Sequence, residues 1–284
     1  MNPESAQTAE PSYELSHADF ERVRAMIYRH AGISLNPSKR TMVYSRLSRR
    51  LRALGKPSFC SYLDDLNAAR SDDNEWQEFV NALTTNLTSF FREQHHFPVL
   101  AEHIQQCARQ GPVKLWCCAA STGEEPYTIA ITAMEALKSR TPAVSLLATD
   151  IDTAVLDKAR SGVYTDKVTE KLDAGLMRRH FLRGRGKEEG MVRMRADLIA
   201  MIQFRQLNLL SPRWPMDTKF DAIFCRNVMI YFDKPTQRLV LERLAAHLRP
   251  GGLLFAGHSE NFTQSRDLFE LQGKTVYRLA GAAH

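Results

Sequence analysis

Three short stretches place side chains that could hold a ligand. The first, "AASTGEEPY", follows the apolar run "VKLWCC" and leads into the helical pattern "EPYTIAITAMEALKSR", so Gly123, Glu124 and Glu125 fall where a strand turns into a helix. In nucleotide-binding folds that spot receives a phosphate on a helix N-terminus, through a G-x-G-x-x-G or P-loop spacing. Neither spacing is present, and two carboxylates would repel a pyrophosphate. The second stretch, "LLATDID", ends a strand on Asp150, where an acidic side chain accepts hydrogen bonds from the two hydroxyls of a ribose. The third, "FDAIFCRNVMIYF", runs from an apolar strand directly into Arg226 and Asn227.

Taken singly, a Glu at a helix start is a dipole partner and an Asp after a strand is an N-cap. Taken together, acids at both places suit a ligand with a ribose and a positive charge but no phosphate. S-Adenosylmethionine, with a cationic amine and sulfonium and a free ribose, is such a ligand.

The elements that must position these residues are readable from periodicity. Residues 17 to about 100 read as helices, the last of them spanning "NEWQEFVNALTTNLTSFFREQHHFPVLAEHIQQCARQG". From residue 113 onward, β-rich runs ("VKLWCCAA", "VSLLATD", "AMIQFRQLNLL", "FDAIFCRNVMIYF", "GLLFAGHS", "TVYRLA") alternate with helical ones. That alternation predicts an α/β fold with a parallel, doubly wound sheet, whose ligands sit at the carboxyl ends of the strands near the switch point. The three loops should meet there. Residues 162 to about 200 are longer and more charged than a crossover needs, and "RGRGKEEGMVRMR" reads as a hairpin around Gly184 to Gly190, so this stretch is expected to be an inserted small β-subdomain.

At 284 residues and 44% apolar, the chain can bury full cores and is expected to form two domains. The expected boundaries are a disordered tail over 1–15, a helical domain over 16–95 and an α/β domain over 96–284. The start "MNPESAQTAEPSYELS" lacks a basic and apolar leader, and no run approaches the roughly 20 apolar residues of a membrane span. A cytoplasmic protein with no membrane insertion is expected. Five cysteines without metal-pair spacing read as reduced thiols.

The net charge of +6 is concentrated near the N-terminus: from Arg22 to Leu63 there is no Asp or Glu. In "KRTMVYSRLSRRLRALG", Val43, Leu47, Leu51 and Leu54 form an apolar stripe, while Arg46, Arg49, Arg50 and Arg52 project elsewhere. The pattern points to an anionic partner, whether nucleic acid, a membrane surface or an acidic protein segment.

The segments "ALTTNLTSFFRE", "AASTGEEPYTIAI", "ATDIDTAVLDKARSGVY", "DAIFCRNVMIYFD" and "LLFAGHSENF" together resemble the bacterial chemotaxis receptor methyltransferases of the CheR type, over about residues 14 to 279. The resemblance implies a class I S-adenosylmethionine-dependent methyltransferase domain with a Rossmann-like sheet, an all-α N-terminal domain and an inserted antiparallel β-subdomain. It implies transfer of a methyl group to glutamates of chemoreceptors, giving γ-glutamyl methyl esters and S-adenosylhomocysteine, without a metal. Carried over residue by residue, Asn86, Thr88 and Arg92 line the cofactor site, Glu125 holds its amino group and Asp150 its ribose. Asn208 and Leu209 border the adenine, Arg226 and Asn227 lie near the methyl, and Arg92 and Tyr231 are the catalytic pair closest to it. The resemblance also gives the basic helix a partner, the acidic cytoplasmic helices of receptors. It suggests that the β-subdomain takes a receptor C-terminal pentapeptide as an added strand.

The chemistry fits what is missing. A glutamate nucleophile with a pKa near 4.3 is ionised by a factor of roughly 500 at pH 7, so no general base is needed. Displacement at a sulfonium depends mostly on positioning. His258 in "GHSENF" reads as a structural histidine at a strand end. A nucleic-acid methyltransferase is the alternative, but base methylases often carry [DNS]-P-P-[FY] where this chain has "RNVMIY", and no aromatics interleave with the basic helix. A non-enzymatic cofactor-binding adaptor would show a broken site.

Overall fold

The computed structural model describes residues 13–70 and 73–281. They fall into two compact units that meet in the chain at Thr84 and Thr85. The tail expected over 1–15 lies outside the described residues as far as residue 12; beyond it, Tyr13 and Leu15 are buried.

The first unit is a set of four helices, α1 (His17–Ala31), α2 (Arg40–Leu54), α3 (Phe59–Ala68) and α4 (Asn74–Leu83). Three of the four starts have a side-chain cap: Ser16, Ser58 and Asp73 accept N–H bonds from the first turns of α1, α3 and α4. Gly32 and Gly55 end α1 and α2 in the left-handed conformation. The stripes Phe20, Val23 and Ile27 on α1 and Val43, Leu47 and Leu51 on α2 are fully buried with Phe59, Leu63, Phe79 and Val80. Leu54, expected in the α2 stripe, is 39% exposed, because it sits on the last turn beside Gly55.

The basic face is narrower than the sequence implied. Arg46 donates to the Ala82 and Thr84 carbonyls at the end of α4, and Arg50 pairs with Glu75 (Nε to Oε1, 2.8 Å). Arg22 pairs with Asp64 and Lys56 with Asp65, while Arg24 pairs with Glu21 and Arg40 donates to the Leu15 carbonyl. Arg29, Lys39, Arg49 and Arg52 remain exposed.

The second unit begins with an irregular segment, 85–95, where the sequence had suggested continuous helix. Phe91 and Glu93 adopt positive φ (53° and 56°) there, and a helix cannot pass through such residues. It continues with α5 (His96–Ala108), β1 (Val113–Cys117), α6 (Glu124–Leu137), β2 (Val144–Asp150), α7 (Thr153–Ser161), β3 (Val163–Thr165), α8 (Ala174–His180), β4 (Phe181–Arg183), β5 (Met191–Met194), α9 (Ala196–Ala200), β6 (Ile202–Gln206), β7 (Phe220–Cys225), α10 (Lys234–His247), β8 (Leu248–Ala256), β9 (Phe269–Gly273) and β10 (Val276–Leu279).

Seven strands form one sheet in the order β6-β2-β1-β7-β8-β10-β9. The run from β6 to β8 is parallel, and β10 is antiparallel to both its neighbours. Strand β9 was not anticipated, since "FELQG" is short and its alternation of Phe269 and Leu271 with polar residues is not matched by burial, four of its five residues being exposed. Alternate residues of the central strands enter two cores. Leu115, Cys117, Ala222 and Phe224 pack with Leu100, Ile104, Ile129 and Ala133, whereas Trp116, Ile223 and Cys225 pack with Val240 and Leu244. The insertion is a three-stranded antiparallel sheet, β3-β5-β4, whose Tyr164, Phe181, Val192 and Met194 join the first core.

Candidate active site

The strand order reverses between β1 and β7, so the crevice beyond their carboxyl ends is the ligand position of an open α/β sheet. The turn after β1 is shaped by backbone constraints. Ser121 has φ +48°, and its N–H donates to Asp150 Oδ2 at 2.8 Å. Gly123 has φ +103°, and a Cβ there would stand 2.6 Å from the Tyr164 hydroxyl. That hydroxyl donates to the Thr122 carbonyl at 2.8 Å, which fastens the inserted sheet to the turn.

Glu125, on the first turn of α6, and Arg226, just beyond β7, form a buried ion pair, Nη1 to Oε2. Burial pushes the Glu125 pKa up and the guanidinium pulls against it, leaving it raised. Arg226 Nη2 also donates to the Arg92 carbonyl at 2.6 Å and lies 3.5 Å from Glu93 Oε2, while its Nε is buried without a partner. Asp150 accepts N–H bonds from Ser121 and Asp152, yet burial pushes its pKa up to about 6. Leu207 N–H bonds the Asp150 carbonyl, which draws Asn208 and Leu209 beside it. Asn208 Oδ1 is turned to Leu210 N–H, and Leu209 is buried.

The segment 85–95 closes another side. Asn86 donates to Asp152 at 2.8 Å, and its carbonyl accepts from Ser121 Oγ at 2.9 Å. Thr88 is half-buried, and Arg92 donates to the Leu87 carbonyl at 2.8 Å. Asn227 has φ +58° and reaches Glu93 (3.4 Å). Tyr231 closes the 3-10 turn Met229–Tyr231 and is half-buried. No hydrogen bond joins its hydroxyl to Arg92 among the described residues. Contacts therefore link Arg92, Glu125 and Arg226 in one group and Asn86 and Asp150 in another through Ser121 and Asp152.

Three contributors were not singled out from the sequence. Asp152 caps α7 and also holds Asn86. Glu93 is shared by Arg226, Asn227 and His258. Glu260 is buried below the turn after β7. The His258 side chain is 71% exposed and, among the described residues, bonds to Glu93 and Ser259. Glu93, His95 and His96 hold ligand-type atoms within 4.8 Å of one another. Both imidazoles face the Lys274 carbonyl, and burial with the nearby Arg226 pushes His96 down to about 4. A dication beside buried Arg226 would be opposed by its charge.

The residues fit S-adenosylmethionine on their chemistry. A buried carboxylate and guanidinium side by side match a zwitterionic amino-acid end, the orphaned Arg226 Nε offers a further donor, and Asp150 keeps lone pairs for hydroxyls.

Two family models match the chain: "CheR methyltransferase, SAM binding domain" over residues 86–278 and "CheR methyltransferase, all-alpha domain" over residues 18–84. The chain is 56% identical over 268 residues to a chemotaxis protein methyltransferase of Klebsiella aerogenes, covering 93% of this chain and 90% of that one. It is 54% identical over 266 residues to chemotaxis protein methyltransferase 2 of Pseudomonas aeruginosa, with 93% and 94% covered. It is 50% identical over 266 residues to the chemotaxis protein methyltransferase of Escherichia coli, with 94% and 92% covered.

Proposed function

The chain belongs to the CheR methyltransferase family, and from that premise we propose that it is a protein-glutamate O-methyltransferase that modifies chemoreceptors. The bound S-adenosylmethionine supplies a methyl group activated by its sulfonium. Glu125 receives the amine of that cofactor, and Arg226, which borders it near the methyl, also faces its carboxylate, so the ion pair of the free protein opens to accept the opposite ends of one zwitterion. Asp150 takes the ribose hydroxyls, Asn208 and Leu209 border the adenine, and Asn86 and Thr88 cover the remaining side. Asn227 lies near the methyl.

At this site the protein positions a nucleophile that is already ionised. Arg92 steers the substrate carboxylate, and the Tyr231 hydroxyl orients the reacting groups. The half-burial of Arg92, with one nitrogen anchored on the Leu87 carbonyl, supports this role because the rest of the guanidinium is left for an anion. The exposed arginines of α2 attract an acidic receptor helix, and the edge strands of the β3-β5-β4 sheet offer a place for a receptor C-terminal pentapeptide to add as a strand.

The buried Glu125–Arg226 pair at the carboxyl ends of β1 and β7 carries the reading. Its test uses purified protein, methyl-labelled S-adenosylmethionine, and either chemoreceptor-containing membranes or total RNA, followed by alkali. Glutamyl methyl esters release volatile methanol, so volatile label from the membranes alone is the expected result. Alkali-stable label on RNA would overturn the assignment and make the basic helix a nucleic-acid clamp.

A further inference from the structure

Glu260 lies beyond the end of β8, is 4% exposed, and has no part in the roles assigned above. Its carboxylate accepts four backbone N–H bonds. Oε2 takes those of Gly257 (2.6 Å) and Asn227 (2.9 Å), and Oε1 takes those of Val228 (2.9 Å) and Met229 (2.7 Å). Three of the donors are consecutive and follow Arg226 directly. Successive N–H groups that converge in this way make an anion-binding hollow. Here a side chain from a neighbouring strand end fills it.

The hollow is built on an uncommon backbone geometry. Asn227 holds φ +58°, an uncommon conformation for a residue with a side chain. A Cβ on Gly257 would stand 2.4 Å from Asn227 Nδ2 and 2.9 Å from its backbone nitrogen, so the two turns are in direct contact. A buried carboxylate is costly unless its lone pairs are filled, and the four donors fill them. Burial raises the Glu260 pKa while the same four N–H groups work against the rise. The turn so held carries Arg226 at its start, Asn227 within it and Tyr231 at its end.

We propose that Glu260 is a positioning residue for methyl transfer, which clamps the turn after β7 so that Arg226, Asn227 and Tyr231 are presented in fixed register. This rests on the methyltransferase reading above. It acts through those three residues and touches neither cofactor nor acceptor.

Glu260→Gln keeps the volume but turns an amide NH2 group toward two N–H donors, and Glu260→Asp shortens the arm. The full-length variants and wild type are compared by S-adenosylhomocysteine affinity, by kcat and KM with receptor, by thermal unfolding, and by the backbone amide resonances of Val228, Met229 and Gly257. The expected result for Glu260→Gln is a folded protein whose three amide signals move upfield, with affinity weakened at least tenfold and kcat reduced at least tenfold. Glu260→Asp falls between it and wild type. A purely structural residue would lower the unfolding temperature and leave the folded fraction with normal affinity and kcat, and that result overturns the proposal.

Amide exchange in wild type keeps the test open if both variants fail to fold. Slow exchange at 228 and 229 without ligand is expected. Exchange that becomes slow only on adding S-adenosylhomocysteine would show that the ligand, not Glu260, orders the turn, which also overturns it. A wild type that binds S-adenosylhomocysteine but methylates no receptor would overturn the receptor reading while the affinity and amide results still decide on Glu260.

Discussion

Asp150 is placed where its protonation state should govern cofactor affinity. Burial holds its pKa up to about 6, while ribose hydroxyls are bound best by the ionised carboxylate. Binding should therefore be at full strength above pH 7 and weaken by about tenfold at pH 5, one unit below that pKa. Titration calorimetry with S-adenosylhomocysteine from pH 5 to 8 checks this, and Asp150→Asn should flatten the profile. The stability sign is opposite: with the folded pKa above the usual 3.8, the folded protein binds more protons than the unfolded one between about pH 4 and 6. Asp150 thus lowers stability as pH rises through that window. The sequence made Glu125, Asp150 and Arg226 visible because acids and a basic residue at strand ends break an apolar pattern. It could not show that Glu125 and Arg226, 101 residues apart, pair with each other. Glu93 and Glu260 were missed for a related reason: "FFREQHH" and "SENF" are polar stretches with no apolar pattern to break, and only the fold half-buries Glu93 and buries Glu260.

At the scale of elements, the turn between β1 and α6 depends on Gly123 in two ways. Its φ of +103° disfavours any side chain, and the Tyr164 hydroxyl occupies the space a Cβ would need. Gly123→Ala should cost about 1–3 kcal/mol of stability by overpacking and weaken cofactor binding. Adding Tyr164→Phe removes the nearest obstacle and should restore part of the loss, because the backbone strain and the 3.0 Å approach to Ala159 remain. Urea unfolding of the single and double variants measures both. Elements with strong periodicity, α1, α2 and the strands β1, β2 and β7, were legible because burial on one or both faces leaves a pattern. The break at 85–95 was hidden, since its apolar Phe90 and Phe91, with Phe97 just beyond it, continue a helical spacing while the chain turns through positive φ. Short strands of the insertion were legible only as a charged hairpin between glycines.

For the molecule as a whole, charge is the property the linear sequence misrepresents most. The window from Arg22 to Leu63 holds no acid, but Glu21, Asp64, Asp65 and Glu75 lie just outside it and fold back onto its cations. Raising salt from about 50 to 500 mM shortens the Debye length from more than 10 Å to about 4 Å, so the receptor kcat/KM should fall several-fold with the cofactor KM unchanged. Arg49→Glu should remove much of that salt dependence while leaving the fold intact. Arg50→Glu should instead destabilise the helical unit by leaving Glu75 opposite a like charge. Steady-state kinetics with receptor membranes, alongside thermal unfolding, separates the two. The Glu125–Arg226 pair has a further consequence for turnover. A pocket whose two charges close on each other carries its own competitor, always present at a fixed effective concentration. Under the role proposed for this pair, that competitor lowers the apparent affinity of reactant and spent cofactor by the same factor, so it loosens the hold on the product without favouring either over the other.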